Sequence, residues 1–275
     1  MAGTSRFFLR FQDDDGTVRY GELTGTDEVR IMDGPPVGMF KVLRERRKLS
    51  ELKLLAPVEP RDIVAIGLNY RTHADESDMK YPDAPVIFLK ASSSVLAPDE
   101  PIVLPHLTPN EVDYEAELAV VIGRSAKNVS EADALKCVLG YTCGNDVSAR
   151  DAQMRLDKQW ARGKSCDTFC PLGPCLVTGL DPDALGIRCR LNGETMQDAN
   201  TSDFLFNVAQ LLSYVSHNKT LRPGDVILTG TPGGVGFARK PPVFLTEGDV
   251  VEVEIDGIGV LRNPVLAERL QTGEQ

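Results

Sequence analysis

Histidine is scarce in this 275-residue chain, with three in all, and none of its six cysteines belongs to a Cys-x-x-Cys pair. A zinc centre built on imidazole and thiolate is therefore not expected. Cys137, Cys143, Cys166, Cys170, Cys175 and Cys189 read as free buried thiols, and no histidine lies near Cys166 or Cys170 in sequence to activate either as a nucleophile. Lysine and arginine form no long run, and a net charge of −10 with a pI near 4.9 excludes a nucleic-acid surface. The amino-terminal stretch "MAGTSRFFLRFQDDDG" breaks its apolar patch at Arg6 and Arg10 and then carries three aspartates, which fits neither a signal peptide nor a membrane span. A soluble cytoplasmic protein with no membrane partner is expected. There are no internal repeats or low-complexity tracts. "TGTPGGVGF" lacks both the Gly-Lys-Ser/Thr ending of a phosphate loop and the G-x-G-x-x-G spacing, so nucleotide binding is not expected.

What is present is an ordinary globular composition, 42% hydrophobic and 25% charged, enough for one large domain or one large and one small. Residues 1–50 give short alternating segments, "SRFFLRFQ", "VRYGELTG" and "EVRIMDG", followed by a helical stretch "VGMFKVLRERRKLSEL". "KLLAPVEPRD", with two prolines, reads as a connection, dividing a small sheet-and-helix domain over 1–58 from a main domain over 59–275. Strand-like runs dominate the main domain: "IVAIGL", "VIFLKA", "ELAVVIG", "CLVTGL", "IRCRLNG", "DVILTG" and "GDVVEVEIDGIG". Two helical patterns interrupt them, "SEADALKCVLGYT" with Ser130 as N-cap, and "LFNVAQLLSYVS". Without regular strand-helix alternation, the expected class is α+β with a mixed, largely antiparallel sheet or barrel-like roll.

In "VDYEAEL", Glu115 and Glu117 are two apart and leave the same face of an extended chain, just where an apolar run enters the body of the domain. Two like charges there need a cation, a shared proton or open water. A third carboxylate, Asp146 in "YTCGNDVSARDAQ", is expected after a buried helix and a Gly144-Asn145 turn, held by the fold. Three oxygen donors without imidazole or thiolate suit magnesium or manganese.

Seven ordered motifs then carry a resemblance: "IGLNYRTHADE", "VDYEAELAVVIG", "GNDVSARDAQ", "GKSCDTFCPLGP", "NGETMQDANTSD", "LTGTPGGVGF" and "EGDVVEVEIDGIGVLRNPV", from about residue 60 to 265. Together they resemble the fumarylacetoacetate hydrolase family. The resemblance implies a mixed β-roll catalytic domain behind a small N-terminal α/β domain, a homodimer, and a metal-dependent enzyme acting on a small anionic 2-oxo or 2,4-dioxo acid. It implies Glu115, Glu117 and Asp146 as ligands of Mg2+ or Mn2+, in agreement with the residues' own pattern. It also singles out His73 and Glu76, which are three apart and share a face on a helical turn, so the carboxylate can orient the imidazole to activate water. The polar "DESDMKYPDAP" beside them is expected to order over substrate. Lys164 is implied to face the substrate and stabilise an enolate. Gln153, Thr231 and Gly230 are implied to bind the substrate's oxo acid. His106 and His217 read as structural. Two departures from the family pattern stand out, Cys166 in place of an aromatic residue and Ala91 in place of a proline.

The chemistry so implied is cleavage of the C3–C4 bond of an acylpyruvate-like acid through an enolate. The same site would serve oxaloacetate decarboxylation or isomerisation of a 2-hydroxy-diene-dioate. The alternative of another class is an inactive metal-binding structural or regulatory protein.

Overall fold

The computed structural model describes residues 4–156 and 159–269. Among them, strands far outnumber helices, as the short alternating segments predict. The largest sheet has twelve strands. Its order is Val42–Lys48, Glu28–Met32, Val18–Thr24, Arg6–Gln12, Cys170–Thr178, Val138–Asn145, Ala116–Ile122, Val226–Leu228, Ile63–Gly67 and Val86–Lys90, with Lys53–Leu55 and Val95–Leu96 paired off this path. Most pairs are antiparallel; Val226–Leu228 and Ile63–Gly67 run parallel, so the sheet is mixed. A second sheet of five strands orders Glu194–Asn200, Gly186–Leu191, Val250–Ile255, Gly259–Ala267 and Ile102–Leu104. The fold is the expected α+β class.

The acidic strand Ala116–Ile122 sits in the middle of the large sheet, buried at every residue. That is why its run "AELAVVI" does not alternate: both faces are covered. Its antiparallel partner Val138–Asn145 sets Glu117 opposite Gly144 and Ala116 opposite Asn145. The N-terminal strand Arg6–Gln12 pairs with Cys170–Thr178, Phe8 opposite Leu176, so the first strands and the central body share one sheet.

Three expectations about local structure are corrected. The stretch 37–52 is not a helix: Val42–Lys48 is an edge strand followed by one 3-10 turn, Leu49–Glu51. Its charged residues pair across the strands, with Arg46 opposite Arg30 in register and its guanidinium 2.6 Å from Glu28. A half-buried edge strand rich in arginine mimics helical spacing over so short a length. The helix after Ser130 is only Glu131–Ala134 plus a 3-10 turn Leu135–Cys137, and "VLGYTCGN" is strand. Gly140 explains the switch: a Cβ there would lie 2.4 Å from the Val177 carbonyl oxygen, so the residue serves close strand approach. Gly144-Asn145 is accordingly a strand end, and Asp146 follows a strand. Finally, "KLLAPVEPRD" is not pure connection, since Lys53–Leu55 pairs with Arg6–Gln12.

The helix Val208–Asn218 meets its expectation. Asn207 caps it reciprocally with Gln210, and Leu211, Leu212 and Val215 are buried. His217 lies exposed in its last turn, and His106 is an exposed loop residue 2.9 Å from Glu268. All six cysteines are free; Cys143, Cys170, Cys175 and Cys189 are buried, whereas Cys137 and Cys166 are only partly so. No helix among the described residues is long and apolar enough to cross a membrane.

Phe11 is fully buried on the strand that joins the N-terminal sheet to the body. Phe11→Ala should cost about 3–5 kcal/mol, read from urea unfolding, because the cavity cannot close against a sheet paired on both sides.

Candidate functional site

The register of the two central strands builds the site. Glu115 and Glu117 project from the acidic strand and its first flank, and Asp146 follows directly on the partner strand, its amide donating to the Glu115 carbonyl at 2.9 Å. Carboxylate oxygens of the three lie within 4.8 Å of one another, and all three residues are buried. The grouping expected from sequence is thus assembled, although through a strand pair and not through a helix and turn.

A ladder of buried cations surrounds them. Lys164 Nζ donates to Glu115 Oε2 and to Asp146 Oδ2, each at 2.7 Å. Lys90 Nζ donates to the other Asp146 oxygen, Oδ1. Arg150 lies 2.7 Å from Glu115 Oε1 and donates to Asp113 Oδ2 at 2.7 and 3.1 Å. Four carboxylates, Asp113, Glu115, Glu117 and Asp146, thereby face three cations, Lys90, Arg150 and Lys164. The uncompensated member is Glu117, which forms no ion pair among the described residues and accepts only the Gly230 amide, at 2.7 Å.

The electrostatics follow from this count. Burial raises the Glu117 carboxyl well above the ordinary carboxylate value, and the neighbouring charges of Asp146 and Glu115 raise it further. Burial acts the same way on Glu115, but Lys164 and Arg150 outweigh it and hold that carboxyl below its ordinary value. The Lys164 ammonium is raised despite burial, because Asp146 and Glu115 favour its charge. A buried carboxylate left without a cation, beside two others, is what an oxygen-liganded divalent ion would relieve, so the donor set fits Mg2+ or Mn2+.

Of the remaining expected residues, His73, Lys164, Gln153 and Thr231 line one cleft, and Glu76 and Gly230 stand behind it. His73 lies on the short helix Arg71–Glu76, buried, with Nδ1 2.8 Å from Glu76 Oε1. Glu76 is itself tied down, accepting the Gly234 amide at 2.7 Å. A cavity of about 90 Å³ is lined by His73, Glu115, Glu117, Gln153, Lys164 and Thr231, along with Arg150 and apolar residues that include Phe88 and Trp160. Gln153 accepts from Arg150 at 3.1 Å. The Thr231 hydroxyl donates to the Ala116 carbonyl at 2.9 Å and accepts from Gln197 at 2.8 Å. Gly230 backs this corner with φ +96°, and a Cβ there would sit 2.8 Å from Asn69 Cβ, so glycine is required twice over.

Sequence reasoning missed Lys90, Arg150, Asp113 and Gln197. Two of them carried a signal. Asp113 continues the two-residue period of Glu115 and Glu117, and Lys90 shares the inward face of its strand with Val86 and Phe88. Arg150 and Gln197 carried none.

Residues 62–266 match the family described as fumarylacetoacetate (FAA) hydrolase C-terminal, and residues 8–57 match the one described as Rv2993c-like, N-terminal. A relative in Xenopus laevis named oxaloacetate tautomerase fahd2, mitochondrial, is 52% identical over 222 residues, covering 79% of this chain and 69% of its own length. Among solved structures, 2-hydroxyhepta-2,4-diene-1,7-dioate isomerase from Mycobacterium marinum superposes with a TM-score of 0.86 at 40% identity, over 96% of this chain and 100% of the other. Fumarylacetoacetate hydrolase from the psychrophilic Exiguobacterium antarcticum does so with a TM-score of 0.86 at 38% identity, again over 96% and 100%.

The crowding at Glu117 has a measurable sign. A carboxyl whose folded pKa is raised binds more protons folded than unfolded, so its contribution to stability declines as pH rises above its ordinary value of 4.5. In metal-free protein the stability of wild type relative to Glu117→Gln should therefore fall as pH rises above about 4.5, followed by urea unfolding at each pH. Saturating Mg2+ should remove that slope in wild type, and Glu117→Gln should weaken Mg2+ binding in calorimetry.

Proposed function

The chain belongs to the fumarylacetoacetate hydrolase family, and within it we propose that it catalyses enolisation of a short 2-oxo acid, foremost the keto-enol interconversion of oxaloacetate. One observation carries this reading: His73, held by Glu76, lines the same small cavity as Glu115 and Glu117, two members of an oxygen-only triad completed by Asp146. The tautomerase name of a relative 52% identical supports the choice of oxaloacetate.

Glu115, Glu117 and Asp146 would hold Mg2+ or Mn2+, which when bound supplies Lewis-acid polarisation of the carboxylate and keto oxygens of a 2-oxo acid. The chain's own groups do the rest. Glu76 accepts the Nδ1 proton of His73 and leaves Nε2 as the base. His73 takes a proton from C3 of the keto acid, and the imidazolium returns it to the oxygen on C2: one C–H bond breaks and one O–H bond forms. Lys164 stabilises the negative charge that builds on that oxygen, in a buried setting where an ammonium acts more strongly than in water. The hydroxyl proton of Thr231 is committed to the Ala116 carbonyl, so the substrate carboxylate is met by the Thr231 amide and by Gln153. We take the working unit to be a homodimer, as the family resemblance implies.

A second reading is favoured by the same couple, since His73 and Glu76 can equally activate a water. Hydrolysis of a 2,4-dioxo acid would then use that water to attack the distal carbonyl, with Lys164 stabilising the departing enolate.

The test follows the enol absorbance of oxaloacetate, and of acetylpyruvate in parallel, with protein treated with EDTA and then given Mg2+ or Mn2+. Metal-restored tautomerisation of oxaloacetate is expected. It should fall about 10²–10⁴-fold in His73→Ala and about 10²–10³-fold in Lys164→Met. Cleavage of acetylpyruvate without tautomerisation would transfer the conclusion to the hydrolase. Neither activity, in protein that binds metal, would leave the inactive metal-binding alternative.

A further inference from the structure

We propose that Trp160 determines the length of the substrate's arm, by closing the far side of the cavity with a fixed apolar wall. The inference rests on the reading of this cavity as a site for a 2-oxo acid and adds where the rest of that acid must end.

Trp160 and Lys164 are the first and last residues of one short helix, four positions apart and therefore on the same face. A four-residue separation is a rise of about 6 Å. The lysine that faces the reacting oxygen and the indole that lines the cavity are thus offset by the length of roughly four carbon-carbon bonds. Phe88 fills the space between them, its ring centroid 5.3 Å from Lys164 Nζ and 5.5 Å from the Trp160 ring.

The indole has little freedom to yield. It stands edge-on to Phe88 at 70° and lies directly on the backbone of Gly67, where a Cβ would be 2.8 Å from Trp160 Cζ3. Any side chain at position 67, itself in the cavity lining, would crowd the ring and the cavity together. Met79 and Met154 also line the cavity, but they are 48% and 57% exposed and flexible, so they border the mouth without limiting depth. A cavity of about 90 Å³ agrees with a short occupant; drug-sized ligands use about 300 Å³ or more. The site therefore suits four- and five-carbon 2-oxo acids, and longer arms collide with Trp160.

The test is calorimetric titration of Mn2+-loaded protein with pyruvate, 2-oxobutyrate, 2-oxohexanoate and 2-oxooctanoate, which reads binding whatever the reaction. In wild type, affinity should drop once the arm reaches the wall, by about tenfold or more for the first methylene that does not fit. Trp160→Ala should raise the affinity for 2-oxooctanoate relative to pyruvate by about tenfold or more. Gly67→Ala should lower the same ratio. Because Trp160 is the one tryptophan of the chain, its emission should respond to 2-oxohexanoate in wild type. An unchanged ratio in Trp160→Ala, or an emission that does not respond to bound acid, overturns the proposal. Failure of metal-loaded wild type to bind any of the four acids overturns instead the 2-oxo acid reading on which it rests.

Discussion

A continuous chain of buried charge runs from Asp113 through Arg150, Glu115, Lys164 and Asp146 to Lys90, and the site depends on it. Its members come from the flank of the acidic strand, from the segment after its partner strand, from the short helix Trp160–Lys164 and from the edge strand Val86–Lys90. Each link is fully desolvated, and removing one partner of such a pair typically costs about 3–5 kcal/mol, because the other charge is left buried and alone. The chain reaches further through Asp113, which accepts the amides of Gly236 and Phe237 at 2.8 and 3.0 Å and so anchors the glycine-rich loop that backs the cavity. Glu117 stands outside the chain, and that exclusion suits it to a metal ion: its charge is not already satisfied.

The arrangement trades stability for chemistry. Glu117 beside Glu115 and Asp146 is unfavourable without a cation, and the fold tolerates it because the surrounding strands are buried on both faces and cannot rearrange. Three chemistries named among similar proteins, tautomerisation, isomerisation and hydrolysis, all pass through an enol or enolate of a 2-oxo acid. One head-group site can therefore serve all of them, and under the reading proposed above what would separate them lies beyond it: whether water is admitted beside His73, and how much arm fits before Trp160. The fold alone decides neither question.

The carboxylates were legible because the strand period is short and local. Glu115 and Glu117 share a face by spacing, and His73 and Glu76 share one on a helical turn, so their meeting needs no distant partner. Asp113 shares the same two-residue period, on the far side of Glu115 from the apolar run. The two misread helices fail for a common reason: in "VGMFKVLRERRKLSEL" and "SEADALKCVLGYT" the spacing of apolar residues is compatible with either period, and strand pairing decides. Asp146 is held beside Glu115 by the strand pairing itself, its amide donating to the Glu115 carbonyl, where a helix and turn were expected.

Composition and pattern by themselves determined the fold class, the absence of zinc and nucleotide motifs and the identity of the three clustered carboxylates, all of which are properties of residue type and near-neighbour spacing. Tertiary structure alone decided which charges neutralise which, because Lys90 and Asp146 are 56 residues apart and Asp113 and Arg150 are 37 apart, and only sheet register joins them. It also decided that Glu117 is the carboxylate left without a cation among the described residues, and that an indole four residues from Lys164 lines the same cavity. Those outcomes follow from long-range pairing and burial, where the low dielectric of the interior turns a count of charges into a strong constraint.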